Sequence, residues 1–119
     1  MITASCHCGA VQIEVTEMPA TLTQCTCSIC RRYGALWAYR SSRTAKVLSA
    51  PDVENVYKWN DKFLEFYHCR TCGCITRYES VKKDENSRIA VNARMMTKDD
   101  IAGIPVRTFD GADTWKYID

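Results

Sequence analysis

Eight cysteines in 119 residues, gathered at gaps of one and two residues, constrain this chain more than any other feature. They form three clusters: Cys6-His7-Cys8-Gly9, Cys25-Thr26-Cys27-Ser28-Ile29-Cys30 and Cys69-Arg70-Thr71-Cys72-Gly73-Cys74. In an exported chain, eight cysteines would suggest four disulfides. The N-terminus here carries no basic stretch followed by an apolar one, so no export signal is expected and a cytoplasmic setting is. Neighbours such as Cys6 and Cys8 are poorly suited to pairing with each other, and tight clusters are the usual form of metal-ligand sets. Zinc is therefore the expected cross-link.

Counting ligands divides the clusters. A Cys-x-x-Cys followed by Gly is the shape of a zinc knuckle, in which backbone N–H groups point at the sulfurs and glycine permits the turn. Cys69-x-x-Cys72-Gly73 fits that shape. A structural zinc takes four ligands, and Cys6 and Cys8, with Gly9 behind them, supply the other two. The set Cys6, Cys8, Cys69 and Cys72 would close a long loop, where a cross-link stabilises most. Cys25, Cys27 and Cys30 are then left as three ligands with an open fourth position, the pattern of a catalytic zinc. Cys74 has three readings: a fourth ligand that closes the second site, a ligand sharing the metal of Cys72, or a free thiol in the core.

The rest of the chain reads as mostly β. Short runs rich in β-branched and aromatic residues alternate with turn signals. Strands are expected over 11–15, 21–24, 35–39, 45–48, 63–68, 74–80 and 88–92, with Ile89 and Val91 on one face, and 53–59 reads as a strand or partly as loop. Asn60-Asp61-Lys62 and the charged stretch 82–87 read as turns. Helical signals are limited to one turn over 28–32 and a short segment over 97–103. In the latter, Thr97 suits the N-cap, Asp99 and Asp100 suit the first turn, and Gly103 suits the end. The tail, 106–119, is expected to be extended. A length of 119 residues suits a single domain over 1–119.

Charge excludes some partners. Sixteen Lys+Arg against fourteen Asp+Glu leave a net charge of +2, with no basic stripe to hold a nucleic acid. No apolar run is long enough to span a membrane. The sheet edges of a small β protein allow a homodimer.

The order Cys6-x-Cys8-Gly9-Ala10-Val11, Cys25-x-Cys27-Ser28-x-Cys30-Arg31-Arg32 and Cys69-x-x-Cys72-Gly73 resembles the glutathione-dependent formaldehyde-activating (GFA) enzyme family over nearly the whole chain. That resemblance implies a β-tent fold with two zinc sites. The structural site would use Cys6, Cys8, Cys69 and Cys72, and the functional site Cys25, Cys27 and Cys30. It also implies a carbon–sulfur lyase chemistry that joins formaldehyde to glutathione, with a small thiol and an aldehyde as partners. A cysteine at position 74 departs from the family pattern.

The residues support such a reaction. A metal deprotonates a bound thiol outright, and it can also polarise an aldehyde oxygen. Arg31 and Arg32 directly follow Cys30 and suit either the carboxylates of glutathione or the negative charge of a zinc–thiolate cluster, the alternative being solvated surface charges. Ser28 suits either a hydrogen bond to a metal-bound sulfur or the cap of the short turn. Trp37, Tyr39, Trp59, Phe66 and Tyr67 are expected in the core or the pocket wall, and Tyr33 is adjacent to the second site. Two other function classes fit fewer residues. A non-catalytic zinc-stabilised binding module lacks a basic surface. A thiol redox protein using Cys27-x-x-Cys30 lacks the βαβ context.

Overall fold

The computed structural model describes residues 1–59, 63–84 and 86–119. The expected turn at 60–62, and position 85 within the charged turn, lie outside the described residues. Ten strands are present among the described residues: β1 (Ile2–Ser5), β2 (Gln12–Val15), β3 (Leu22–Cys25), β4 (Trp37–Ser41), β5 (Ala45–Val47), β6 (Glu54–Trp59), β7 (Leu64–Cys69), β8 (Ile75–Ser80), β9 (Arg88–Asn92) and β10 (Val106–Phe109). Two short helices, α1 (Ser28–Tyr33) and α2 (Lys98–Ile101), complete the regular structure with two 3₁₀ turns, Pro51–Val53 and Ala93–Met95. The chain is thus mostly β, as the short alternating runs require.

The strands form two sheets. One has the order β1-β2-β5 and the other the order β10-β3-β4-β9-β8-β7-β6. Alternation along the central strands serves two cores. On β9, Ile89 and Val91 join Ala38, Leu22, Ile13 and Val15 in the layer between the sheets. Ala90 instead faces the opposite side, with Trp37, Phe66 and Tyr78. Strand β9 is therefore covered on both faces, and its last four residues are all buried.

Pairing is antiparallel throughout the described strands except at β10, which runs parallel to β3 with Val106 opposite Leu22 and Phe109 opposite Cys25. Parallel pairing needs a crossover connection, and the whole chain between β3 and β10 supplies it.

Strand β4 begins two residues later than the alternating pattern suggests, at Trp37. The Leu36 backbone is turned instead to Asn92 and Ala93: its N–H donates to Asn92 Oδ1 at 3.2 Å and its carbonyl accepts from Ala93 at 2.7 Å. Asn92 is buried and also donates from Nδ2 to the Ile75 carbonyl at 2.9 Å. One amide side chain thus fixes the starts of β4 and β8. Helix α2 is shorter than 97–103 but is capped as its sequence requires. Thr97 Oγ1 accepts from the Asp100 amide at 3.2 Å, and the Asp100 carboxylate accepts from the Thr97 amide at 3.3 Å.

A second buried polar group braces the far end of the large sheet. The Arg77 guanidinium pairs with Glu54 and Glu79 and stacks on the Tyr67 ring, 3.8 Å from its centroid. Among the described residues, no helix is long and apolar enough to cross a membrane.

Candidate metal centres

Two turns of like design build the first centre. Gly9 and Gly73 both adopt φ near +80° (86° and 79°), the left-handed region that glycine enters without steric cost. Each closes back on the first cysteine of its cluster: the Gly9 amide donates to the Cys6 carbonyl at 3.1 Å, and the Gly73 amide to the Cys69 carbonyl at 3.0 Å. The turns leave N–H groups aimed at sulfur. Val11 donates to Cys6 Sγ at 3.2 Å, and Thr71 and Cys72 donate to Cys69 Sγ at 3.3 and 3.5 Å. Such donors stabilise thiolate over thiol. Cys6, Cys8, Cys69 and Cys72 place their four sulfurs within 4.8 Å of one another.

The spacing fits a metal. Zinc–sulfur bonds of about 2.3 Å in a tetrahedron require sulfur–sulfur edges of roughly 3.8 Å. Cys6 Sγ lies 3.7 Å from Cys8 Sγ, which lies 3.5 Å from Cys69 Sγ. Two of the four residues are buried, so this is a closed set of four soft donors joining the N-terminal strand to the β7–β8 turn.

The second centre is built by helix α1 and the end of β3. Cys25 ends β3, Cys27 is the N-cap of α1, and Cys30 stands one turn into it. The Cys30 amide donates to Cys27 Sγ at 3.5 Å. Ser28 therefore does not cap the helix, because Cys27 holds that position. Helical spacing turns Cys27 and Cys30 inward and Arg31 and Arg32 out to solvent. The three sulfurs also lie within 4.8 Å of one another. Three soft sulfurs so placed suit the same class of metal.

Buried donors and a fully buried ring shape the electrostatics of this trio. Trp37, with no exposed surface, donates its indole N–H to Cys30 Sγ at 3.3 Å. Without a metal, the Cys30 thiol donates to Cys25 and, against burial, holds Cys25 down to about 5. Cys30 is pushed up by the same contact and by burial.

Cys74 belongs to neither set. It packs half-buried beside Cys6, Val11 and Cys69, at the first centre, with its carbonyl accepting from the Cys69 amide at 3.0 Å. The reading in which Cys74 supplies a fourth ligand to Cys25, Cys27 and Cys30 does not match this position.

A cavity of about 560 Å³ opens above the second centre, with Cys25, Cys27 and Cys30 in its wall. The large sheet contributes Tyr39, Trp59, Leu64, Phe66 and Tyr78. Of the aromatics expected in core or wall, Trp37 is core, and Tyr67 is absent from the wall because it lies under Arg77. Tyr33 packs on Phe66 at 5.7 Å between centroids and lines a neighbouring depression with Arg32.

The tail completes the wall. Phe109, Trp115 and Tyr117 form a second aromatic group, with Phe109 edge-on to both of the others at 5.2 Å. Asp110 anchors this loop: its carboxylate accepts from Thr26 Oγ1 at 2.7 Å, from the Thr114 amide at 3.1 Å and from the Thr114 hydroxyl at 3.0 Å. Those donors, Thr26 first, hold the carboxyl below its usual range. The anchor is complete at neutral pH and is released only as pH falls through that lowered value. Gly111 presses against the sulfurs so closely that a Cβ there would stand 2.7 Å from Cys25 Sγ. None of these tail residues is marked by a local sequence motif.

Two phenols and a guanidinium form the polar side of the cavity. Burial pushes both Tyr39 and Tyr78 above the ordinary phenol value, so each keeps its proton. Arg88 stacks on Tyr39, 4.1 Å from the ring centroid, and lies beside the Tyr78 hydroxyl. Arg31 is not in this wall. It lines a smaller polar pocket with Arg94, Gln24 and Thr108 that shares Cys25 with the cavity. Arg32 donates to the Ser28 carbonyl at 2.8 Å.

Residues 1–110 match a family described as glutathione-dependent formaldehyde-activating enzyme. A Rhodobacter sphaeroides protein of known crystal structure is 29% identical to this chain and superimposes with a TM-score of 0.70, over 88% of this chain and 99% of that one.

Proposed function

Because the chain belongs to the glutathione-dependent formaldehyde-activating enzyme family, we propose that it joins the thiol of glutathione to an aldehyde, a carbon–sulfur lyase reaction run toward condensation. The observation that carries this reading is the contrast between the two cysteine sets. Four sulfurs close on one another in the first, whereas the second has three sulfurs in the wall of a cavity. The first set suits a structural zinc and the second a zinc with an exchangeable position.

Zinc at the second site would supply a positive centre that keeps an incoming thiol ionised at neutral pH. Cys25, Cys27 and Cys30 hold that centre, and the Trp37 indole N–H steadies Cys30 as a thiolate. Gly111, without a side chain, lets the tail backbone pack directly against Cys25. The cavity brings thiol and aldehyde together, and orientation accounts for much of the rate in a reaction that proceeds slowly unaided. Sulfur bonds to the carbonyl carbon, the carbon–oxygen π bond opens, and the oxygen takes up the proton the thiol gave up. The protonated phenol of Tyr78, beside Cys30 in the wall, is the proposed hydrogen-bond donor to that oxygen. Arg31, Arg32 and Arg88 are the proposed partners for the carboxylates of glutathione. A cytoplasmic setting, where thiols stay reduced, suits eight unpaired cysteines.

Exchange NMR of formaldehyde and glutathione with the zinc-loaded protein tests the reading. Cross-peaks between free glutathione and its hydroxymethyl adduct should strengthen with the wild type and fall to the protein-free level with Cys30→Ser. Equal exchange with and without wild-type protein would reject it.

A further inference from the structure

The cavity wall speaks to which aldehyde is joined. This rests on the thiol–aldehyde reading of the three-cysteine site. At about 30 Å³ per water-sized unit, roughly 19 such units fill 560 Å³. The methylol group that formaldehyde leaves on sulfur has one carbon and one oxygen, and it would touch almost none of the wall. Two aromatic groups, Trp59–Phe66–Tyr78 and Phe109–Trp115–Tyr117, line the remaining space.

The peptide of glutathione is a poor match for those rings. It carries two carboxylates, an ammonium and two amides, each of which loses free energy against an apolar wall without a hydrogen-bond partner. The polar side of the wall is Tyr39, Tyr78 and Arg88, which contact one another, with Ser80 and the Tyr117 hydroxyl also in the lining and Arg31 and Arg94 in the pocket that shares Cys25. The peptide therefore runs to the polar side, and the aromatic space is left for the other half of the adduct.

We infer that the carbonyl substrate is an aldehyde carrying a flat aromatic substituent, held between the Trp59–Phe66 and Phe109–Trp115 rings while its carbonyl carbon meets the thiol at Cys25, Cys27 and Cys30. Aromatic rings pair edge-to-face or offset at centroid separations of about 4.5–7 Å, the spacing already seen among these side chains. The product is a thiohemiacetal. One sulfur–carbon bond forms, the carbonyl π bond breaks, the proton passes to oxygen, and no oxidant or reductant is needed.

Stable thioethers separate this inference from the reaction itself. S-benzylglutathione stands in for the aryl adduct and S-methylglutathione for the formaldehyde adduct. Calorimetry with the zinc-loaded protein should give at least about tenfold tighter binding of the benzyl compound. Trp115→Ala, whose side chain is largely exposed, should reduce that preference at least about threefold while leaving the melting curve in place, and Trp59→Leu, which keeps apolar packing on Phe66, should reduce it by a similar factor. Benzyl mercaptan against ethanethiol repeats the comparison without the peptide. An aryl preference confined to these free thiols keeps the aromatic site and overturns the glutathione reading. No aryl preference in either pair, or one that neither variant reduces, overturns the aromatic site, and glutathione exchange with formaldehyde is then judged by its own experiment.

Discussion

Trp37 donates its indole N–H to Cys30 Sγ across 3.3 Å, from a position with no exposed surface. The ring is held by Tyr78, edge-on at 4.8 Å between centroids, and by Phe66 at 6.3 Å. Its donor therefore cannot swing away from the sulfur. Trp37→Phe keeps most of the packing and removes the donor. Metal affinity at the second centre should fall by about 10–100-fold, as for other groups that support a ligand from behind. Chelator competition should register that change, with the four-cysteine centre retaining its metal.

Gly111→Ala tests how tightly the tail closes on the trio. Its Cβ would stand 2.7 Å from Cys25 Sγ and 3.2 Å from Cys27 Cβ, distances that neither neighbour can accept without moving. Metal analysis should show loss from the second centre and retention at the first, with the far-ultraviolet spectrum unchanged. An alanine variant with both metals at wild-type affinity would contradict the geometry.

Loss of the two centres should differ in kind. Cys8 and Cys69 are 61 residues apart, so the first centre closes a long loop. Structural zinc contributes about 10–16 kcal/mol in small zinc domains, comparable to or larger than the whole stability of about 5–15 kcal/mol typical of a domain. Cys69→Ser should leave the chain unfolded at room temperature by circular dichroism. Cys30→Ser should leave it folded with one metal per chain.

Arg77→Met isolates the buried ion cluster. It leaves Glu54 and Glu79 facing each other without a cation, and removing one partner of a buried pair costs about 3–5 kcal/mol. Urea denaturation should show a loss of that order. Adding Glu54→Gln and Glu79→Gln to the same chain should recover most of it, because the uncompensated charges are then gone.

The cysteine partition was legible because its information is local. Cys6-x-Cys8-Gly9 and Cys69-x-x-Cys72-Gly73 each specify a turn within a few residues, and the two glycines take the φ that such turns demand. Thr97 and Asp100 were legible for the same reason. Trp37 read as a core aromatic, but its hydrogen bond depends on β4 lying against β9 and β3, a register no short window contains. Gly111 carries no signal at all, since it reaches Cys25 through a parallel strand more than eighty residues downstream. Adjacency in sequence does not by itself place side chains: Arg31 and Arg32 follow Cys30 and lie in pockets beside the cavity, whereas the distant Arg88 lines the cavity itself.

The parallel seating of β10 beside β3 sets an order of assembly during synthesis. As the chain leaves the ribosome, the first metal clamp has all its ligands once Cys72 has emerged. The three sulfurs of the second centre emerge earlier still, but they stay uncovered until Phe109, Gly111, Trp115 and Tyr117 arrive more than eighty residues after Cys25. A nascent chain thus presents both cysteine sets before the cavity exists, and the segment 109–117 is what turns an open sulfur cluster into an enclosed one.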